Sequence, residues 1–181
     1  MEKRVTEGRA DLKPDRLLIN TAMGAQAKHS LGGTLSRDSV RAAERLLDAL
    51  EREYAAGDAT MQPTARTYSK FVDLYAKNGR ADEAARALEQ MEAQYRAGNR
   101  AAAPRTIHYT SVIDALAKGA GANRGAAAEG VLRSMLDLYD HGDDHLAPDA
   151  VVFSAAIDAC SKSNQRDAAE RSLGIMDLMH K

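Results

Sequence analysis

The 181-residue chain has no tryptophan, one cysteine, two phenylalanines and four prolines. A lone Cys160 excludes an internal disulfide framework and a zinc site built from cysteines. Aromatics amount to 4% and runs of Val, Ile and Thr are scarce, whereas alanine is abundant, which argues against a sheet and for an all-helical protein. A hydrophobic share of 44% suffices for a core, but no apolar run is long enough to span a bilayer, so no membrane partner is expected. A net charge of −1 provides no global attraction for nucleic acid or anionic lipid; such binding would need a local basic face. The start, MEKRVTEGRADLK, is polar and contains acids, unlike a secretory signal or an acid-poor transit peptide, and residues 1–13 are expected to be a flexible lead-in.

Catalytic groupings are missing as well. No Ser/His/Asp, Cys/His or paired-carboxylate set stands at a catalytic spacing, so neither an enzyme nor a cofactor is expected. His141 and His145 in HGDDH lack further fixed ligands and are read as solvated loop residues, which leaves no metal site. GAGANRG at 119–125 has the composition of a phosphate loop but follows a helical pattern rather than a strand, so it reads as a hairpin turn. Cys160 lies on an apolar face and is expected to be packed.

What the chain does have is self-similarity. Four gapless stretches, PDRLLINTAMGAQAK from Pro14, PTARTYSKFVDLYAK from Pro63, PRTIHYTSVIDALAK from Pro104 and PDAVVFSAAIDACSK from Pro148, use all four prolines. Each proline is followed five residues later by Ile19, Tyr68, Tyr109 or Phe153, and fourteen later by Lys28, Lys77, Lys118 or Lys162. Apolar residues then recur at helical spacing, as in Tyr68, Phe71, Val72 and Tyr75, which predicts a first helix starting just after the proline, with the proline in its first turn.

A second helix follows in every copy. Ala43, Ala84, Ala128 and Ala169 are each followed four residues later by Leu47, Leu88, Leu132 or Leu173, then by Leu50, Met91, Met135 or Met176, which predicts one apolar stripe per helix. Gly57, Gly98 and Gly142 stand where a left-handed residue would stop that helix, six residues before the next proline. Variation in length falls in the turns between the two helices of a unit, where insertions leave packing faces in register. The expected architecture is all-α: a right-handed α-solenoid of four helix–turn–helix repeats, eight main helices, over residues 14–181, with units at about 14–62, 63–103, 104–147 and 148–181.

These residues resemble the pentatricopeptide repeat (PPR) family. The resemblance rests on the proline–aromatic–lysine register, the NGRADEA turn at 78–84 and the methionine closing the second helix, and is plainest in PTARTYSKFVDLYAKNGRADEAARALEQM and PDAVVFSAAIDACSKSNQRDAAERSLGIM. The chain departs from that family in the thirteen residues from Leu50, Met91 or Met135 to the next proline, a longer span than the family uses. The spacing also suits HEAT or armadillo units, which leave the proline register unexplained.

The resemblance implies single-stranded RNA as partner, with about one base read per repeat. Carried over, the base-reading pairs are Asn20 with Thr64, Ser69 with Arg105 and Thr110 with Asp149, while Ser154 stands without a partner, implying that the chain is part of something larger. Thr110 and Asp149 resemble a guanine-reading pair and Asn20 with Thr64 a pyrimidine reader; Ser69 with Arg105 falls outside the usual pairings. Leu17, Ile107 and Val151 would pack against bases, and Arg66 breaks that row. Lys28, Lys77, Lys118 and Lys162 would contact phosphates, although a lysine there also complements a helix C-terminus. Family members work in mitochondria or plastids, which sets the expected localisation. The alternative from another class is a helical scaffold for proteins, such as a subunit of an organellar ribosome or other assembly, with self-association through Met176 and Met179 of the last helix.

Overall fold

In the computed structural model, which describes residues 16–29, 37–119, 123–163 and 166–179, Pro63, Pro104 and Pro148 stand one residue ahead of the helix caps instead of inside the first turn, and Pro14 lies outside the described residues. Thr64, Arg105 and Asp149 are the N-caps, all extended, with φ of −123°, −135° and −108°. A proline just before the cap costs no hydrogen bond and stiffens the approach of the chain, so it marks the helix without entering it. The lead-in expected at 1–13 and the inter-helix residues 30–36 and 120–122 lie outside the described residues.

Eight α-helices alternate as first and second helices: α1 (Arg16–His29), α2 (Arg37–Ala55), α3 (Ala65–Lys77), α4 (Ala81–Arg96), α5 (Thr106–Lys118), α6 (Arg124–Asp140), α7 (Ala150–Ser161) and α8 (Ala168–Leu178). No strand occurs among the described residues, and no described helix is long and apolar enough to cross a membrane. First helices touch one another in order, α1 to α3 to α5 to α7, and α4 and α6 also pack on the first helix of the following unit. The result is an α-solenoid with one layer of first helices and one of second helices.

The apolar stripes of the first helices meet those of the second in one continuous core. Tyr68, Phe71, Val112, Ile113 and Ala156 are buried from the first layer, and Leu47, Leu50, Leu88, Met91, Leu132 and Met135 from the second. Full burial of one such large side chain is worth about 1.5–3 kcal/mol, so the repeated stripe is the main cohesive term. Polar links tie the second helices to one another. Arg86 reaches Glu44 at 3.4 Å between α4 and α2, Arg96 reaches Asp137 at 3.2 Å between α4 and α6, and Arg171 reaches Glu129 at 2.5 Å between α8 and α6.

Each second helix in the first three units ends identically. Gly57, Gly98 and Gly142 take φ of 101°, 99° and 101°, and the next amide reaches back to Glu53, Gln94 or Leu138 in a Schellman closure. The six residues to the next proline are not plain loop. Each holds a 3₁₀ turn (Ala59–Met61, Arg100–Ala102, Asp144–Leu146) that buries Met61, Ala102 or Leu146, which accounts for the span longer than the family's. Neighbouring connectors are bonded together: Asn99 Nδ2 donates to Pro63 O at 2.9 Å, Gln62 Nε2 donates to Asn99 Oδ1 at 2.9 Å, and His145 Nε2 lies 3.1 Å from Pro104 O.

The fourth unit corrects one expectation. Ala169, Leu173 and Met176 do not form the buried stripe of α8: Leu173 is 63% and Met176 47% exposed, and Ile175 is buried instead. In α4 the equivalent residues Ala84, Leu88 and Met91 are covered because α4 packs on α5 as well as α3, whereas no described helix follows α8. Close approach also shapes this region. A Cβ at Gly125 would lie 2.8 Å from Ser163 Oγ and 3.1 Å from Cys160 Cα, so α6 needs glycine there to meet α7. Cys160 is buried with its Sγ 3.4 Å from Gly125 O, and burial pushes its thiol pKa up, in keeping with a packed residue.

Candidate nucleic-acid interface

On the layer of first helices, the residue three after each proline faces outward. Leu17, Ile107 and Val151 are 72%, 56% and 61% exposed, while apolar neighbours such as Tyr109, Val112 and Val152 are buried. Helix geometry produces this split: residues three to four apart share a face, and in α3, α5 and α7 the buried stripe runs through the residues four and five after the proline, leaving the preceding position outside it, whereas in α1 Leu18 is exposed too and of those two only Ile19 is buried. Arg66 holds the same register in α3 and is exposed.

The residues six after the prolines differ from unit to unit. Asn20 is 8% exposed and its Oδ1 has no hydrogen-bond partner among the described residues. Ser69 and Thr110 are half-buried and Ser154 is exposed. Thr110 Oγ1 donates to Thr106 O at 3.0 Å, which leaves its oxygen able to accept.

Ser69 is committed more heavily. Its hydroxyl donates to Ala65 O at 2.8 Å and lies 2.6 Å from His108 Nε2. His108 Nδ1 accepts the Arg105 N–H at 2.9 Å, so the ring proton sits on Nε2 and is donated to Ser69. His108 is buried, and burial, reinforced by the Arg105 charge, lowers its pKa to about 4. The imidazole is therefore a neutral strut joining α3 to the start of α5. Sequence reasoning missed it, because His108 occupies a register held by Thr67 and Val152 in the adjacent units and only the packed pair of helices brings it to Ser69.

The second members of the reading pairs all sit at N-caps. Thr64 Oγ1 accepts from Thr67 N at 3.3 Å and Asp149 Oδ1 from Val152 N at 2.9 Å, whereas the Arg105 side chain caps nothing. Capping occupies one carboxylate oxygen of Asp149 and leaves the other for a ligand, so capping and base reading are compatible there. Ser69 and Arg105 are linked through His108; Thr110 and Asp149 stand on the packed neighbours α5 and α7.

Three of the lysines expected to meet phosphates can be placed. Lys77, Lys118 and Lys162 are exposed at the ends of α3, α5 and α7, and the side chain of Lys28 lies outside the described residues. Lys77 pairs with Asp73 at 3.5 Å and Lys162 with Asp158 at 2.5 Å, one turn earlier on the same helix; Lys118 has no ion pair among the described residues. Exposed pairs of this kind are worth about 0–1 kcal/mol, so they compete only weakly with a phosphate. Away from this layer, His141 Nδ1 lies 2.6 Å from Asp137 O, and His145 belongs to the connector ladder.

The PPR repeat family model matches residues 66–94, from the first turn of α3 nearly to the end of α4. No curated protein matches the chain. The matched stretch lies in one of the copies that share a first-helix stripe, a Schellman glycine and a 3₁₀ connector, and the match supports a PPR-type repeat within this α-solenoid.

Proposed function

We propose that the protein binds single-stranded RNA along its layer of first helices, reading about one base per unit, in the RNA metabolism of a mitochondrion or plastid. The observation that carries this reading is the exposure of Leu17, Ile107 and Val151 at one register of three of the four first helices, beside buried residues such as Ile19, Tyr109 and Val152. Flat bases offer such side chains an apolar face, and stacking tolerates any base, so a row of them spaces bases along the layer. Selection would come from the adjacent polar groups. In unit three the uncommitted Asp149 oxygen can accept from the N1–H and N2–H edge of guanine beside the Thr110 hydroxyl. Asn20 with Thr64 suits a pyrimidine.

Selection from a randomised single-stranded RNA pool tests this. Enrichment of a short motif is expected, and Asp149→Asn, which keeps the cap, should weaken one position of it by about 1–3 kcal/mol. Absence of enrichment, or an unchanged motif in that variant, would overturn the reading.

A second reading, a helical scaffold for protein, is favoured by the outward stripe of Leu173, Met176 and Met179 on α8. Light scattering across a concentration series, with Leu173→Glu as control, distinguishes the two. A monomer that selects RNA disfavours the scaffold, and an oligomer dispersed by Leu173→Glu supports it.

A further inference from the structure

Unit two breaks the row of the first-helix layer in three ways at once. Where α1, α5 and α7 present Leu17, Ile107 and Val151, α3 presents Arg66; where Thr64 and Asp149 cap with their side chains, Arg105 leaves its guanidinium uncommitted; and the Ser69 hydroxyl is closed by Ala65 O and His108 Nε2. Arg66 and Arg105 are both exposed, and neither side chain has an ion pair or hydrogen bond among the described residues. Arg86, Arg96, Arg133 and Arg171, by contrast, are held in ion pairs. Position joins Arg66 and Arg105. Arg66 lies one helical turn before Ser69 on α3, and the backbone of Arg105 is tied to Ser69 through the His108 ring. The acid that bears on His108 is Asp73, which is already paired with Lys77.

We propose that unit two reads no base and instead holds the RNA backbone, with Arg66 and Arg105 binding phosphodiester oxygens between the bases taken by units one and three. The inference rests on the RNA-binding reading above. Arginine suits the role because its planar fork gives two parallel donors to a phosphate and keeps its charge at any working pH. A base facing unit two would meet a serine whose proton is spent and a cation in place of an aliphatic platform. A phosphate there would gain two charges with no competing carboxylate to displace. The unit is thus a spacer whose contribution is independent of sequence and sensitive to salt.

The test measures affinity for the selected RNA across a salt series for the wild-type chain, Arg66→Ala/Arg105→Ala and Arg66→Lys/Arg105→Lys, with circular dichroism to confirm folding. The alanine pair should flatten the slope of log K against log salt by about 0.7 for each phosphate no longer bound, leave base preference unchanged, and be rescued in slope by the lysine pair. An abasic nucleotide placed between those read by units one and three should bind like the parent RNA. An unchanged slope, or a tenfold or larger loss at the abasic nucleotide, overturns the spacer while leaving RNA binding standing. Failure of the wild-type chain to bind any RNA overturns both.

Discussion

Tyr68 and Tyr109 hold the same place in units two and three, buried five residues after a proline, and each is followed by the residue expected to read a base. Their surroundings diverge. The Tyr68 hydroxyl donates to Glu51 at 2.6 Å, whereas the Tyr109 hydroxyl has no hydrogen-bond partner among the described residues and Glu92 bonds Ser134 and Arg96 instead. Burial, and after it the nearby carboxylate, raises both phenol pKa values above their ordinary range. In unit four the pair becomes Phe153 with Leu136, apolar at both places. One step further along the helices, Ser69 is locked by His108 while Thr110 keeps an oxygen free. Ring size and burial are therefore held constant by the shared frame, while polar atoms around it change from unit to unit. The repeat is a packing rule, and each unit's chemistry is a local exception to it.

Acid should break this comparison most strongly. His108 has a pKa lowered to about 4 in the fold against an ordinary 6.5, so the unfolded chain binds the extra proton between those values. Stability from this group is fully present above pH 6.5 and is lost as pH falls toward 4, by roughly 3 kcal/mol at the limit. Urea melts across that window should show the loss, and His108→Val, which installs the residue of unit four, should reduce it. Next in size is the contrast between the two tyrosines. Tyr68→Phe leaves Glu51 without its partner and should cost about 1–2 kcal/mol, while Tyr109→Phe removes a hydroxyl that bonds nothing among the described residues and should change stability by less than about 0.5 kcal/mol. Chemical denaturation of the two variants side by side measures the difference, and equal costs would show that Glu92 does bond Tyr109. The smallest effect sharpens the interface itself: Ser69→Ala should leave the selected RNA motif unchanged, because its hydroxyl is engaged within the protein.

Much of the frame was legible because it is written in periodicity. The stripe through Tyr68, Phe71, Val72 and Tyr75, the Leu and Met positions of α2, α4 and α6, and the left-handed glycines follow from spacing and from the few conformations a chain allows. The surface was only partly legible. Placing Leu17, Ile107 and Val151 together needed just a register, but the burial of Asn20 and the commitment of Ser69 depend on which neighbour leans over them. The outward turn of Leu173 and Met176 was hidden for the same reason: they match Leu88 and Met91 in sequence, and differ because a helix packs beyond α4 and none of the described ones packs beyond α8.

By itself, then, the sequence determined the number of units, the face buried by the helices of units two and three and the places where helices stop, since these depend on hydrophobic period and backbone conformation within roughly forty residues. Tertiary structure alone decided which polar groups stay available. Hydrogen bonds such as Ser69 to His108, Tyr68 to Glu51 and Asn99 to Pro63 join residues 17 to 39 positions apart, and their geometry exists only once adjacent units have stacked.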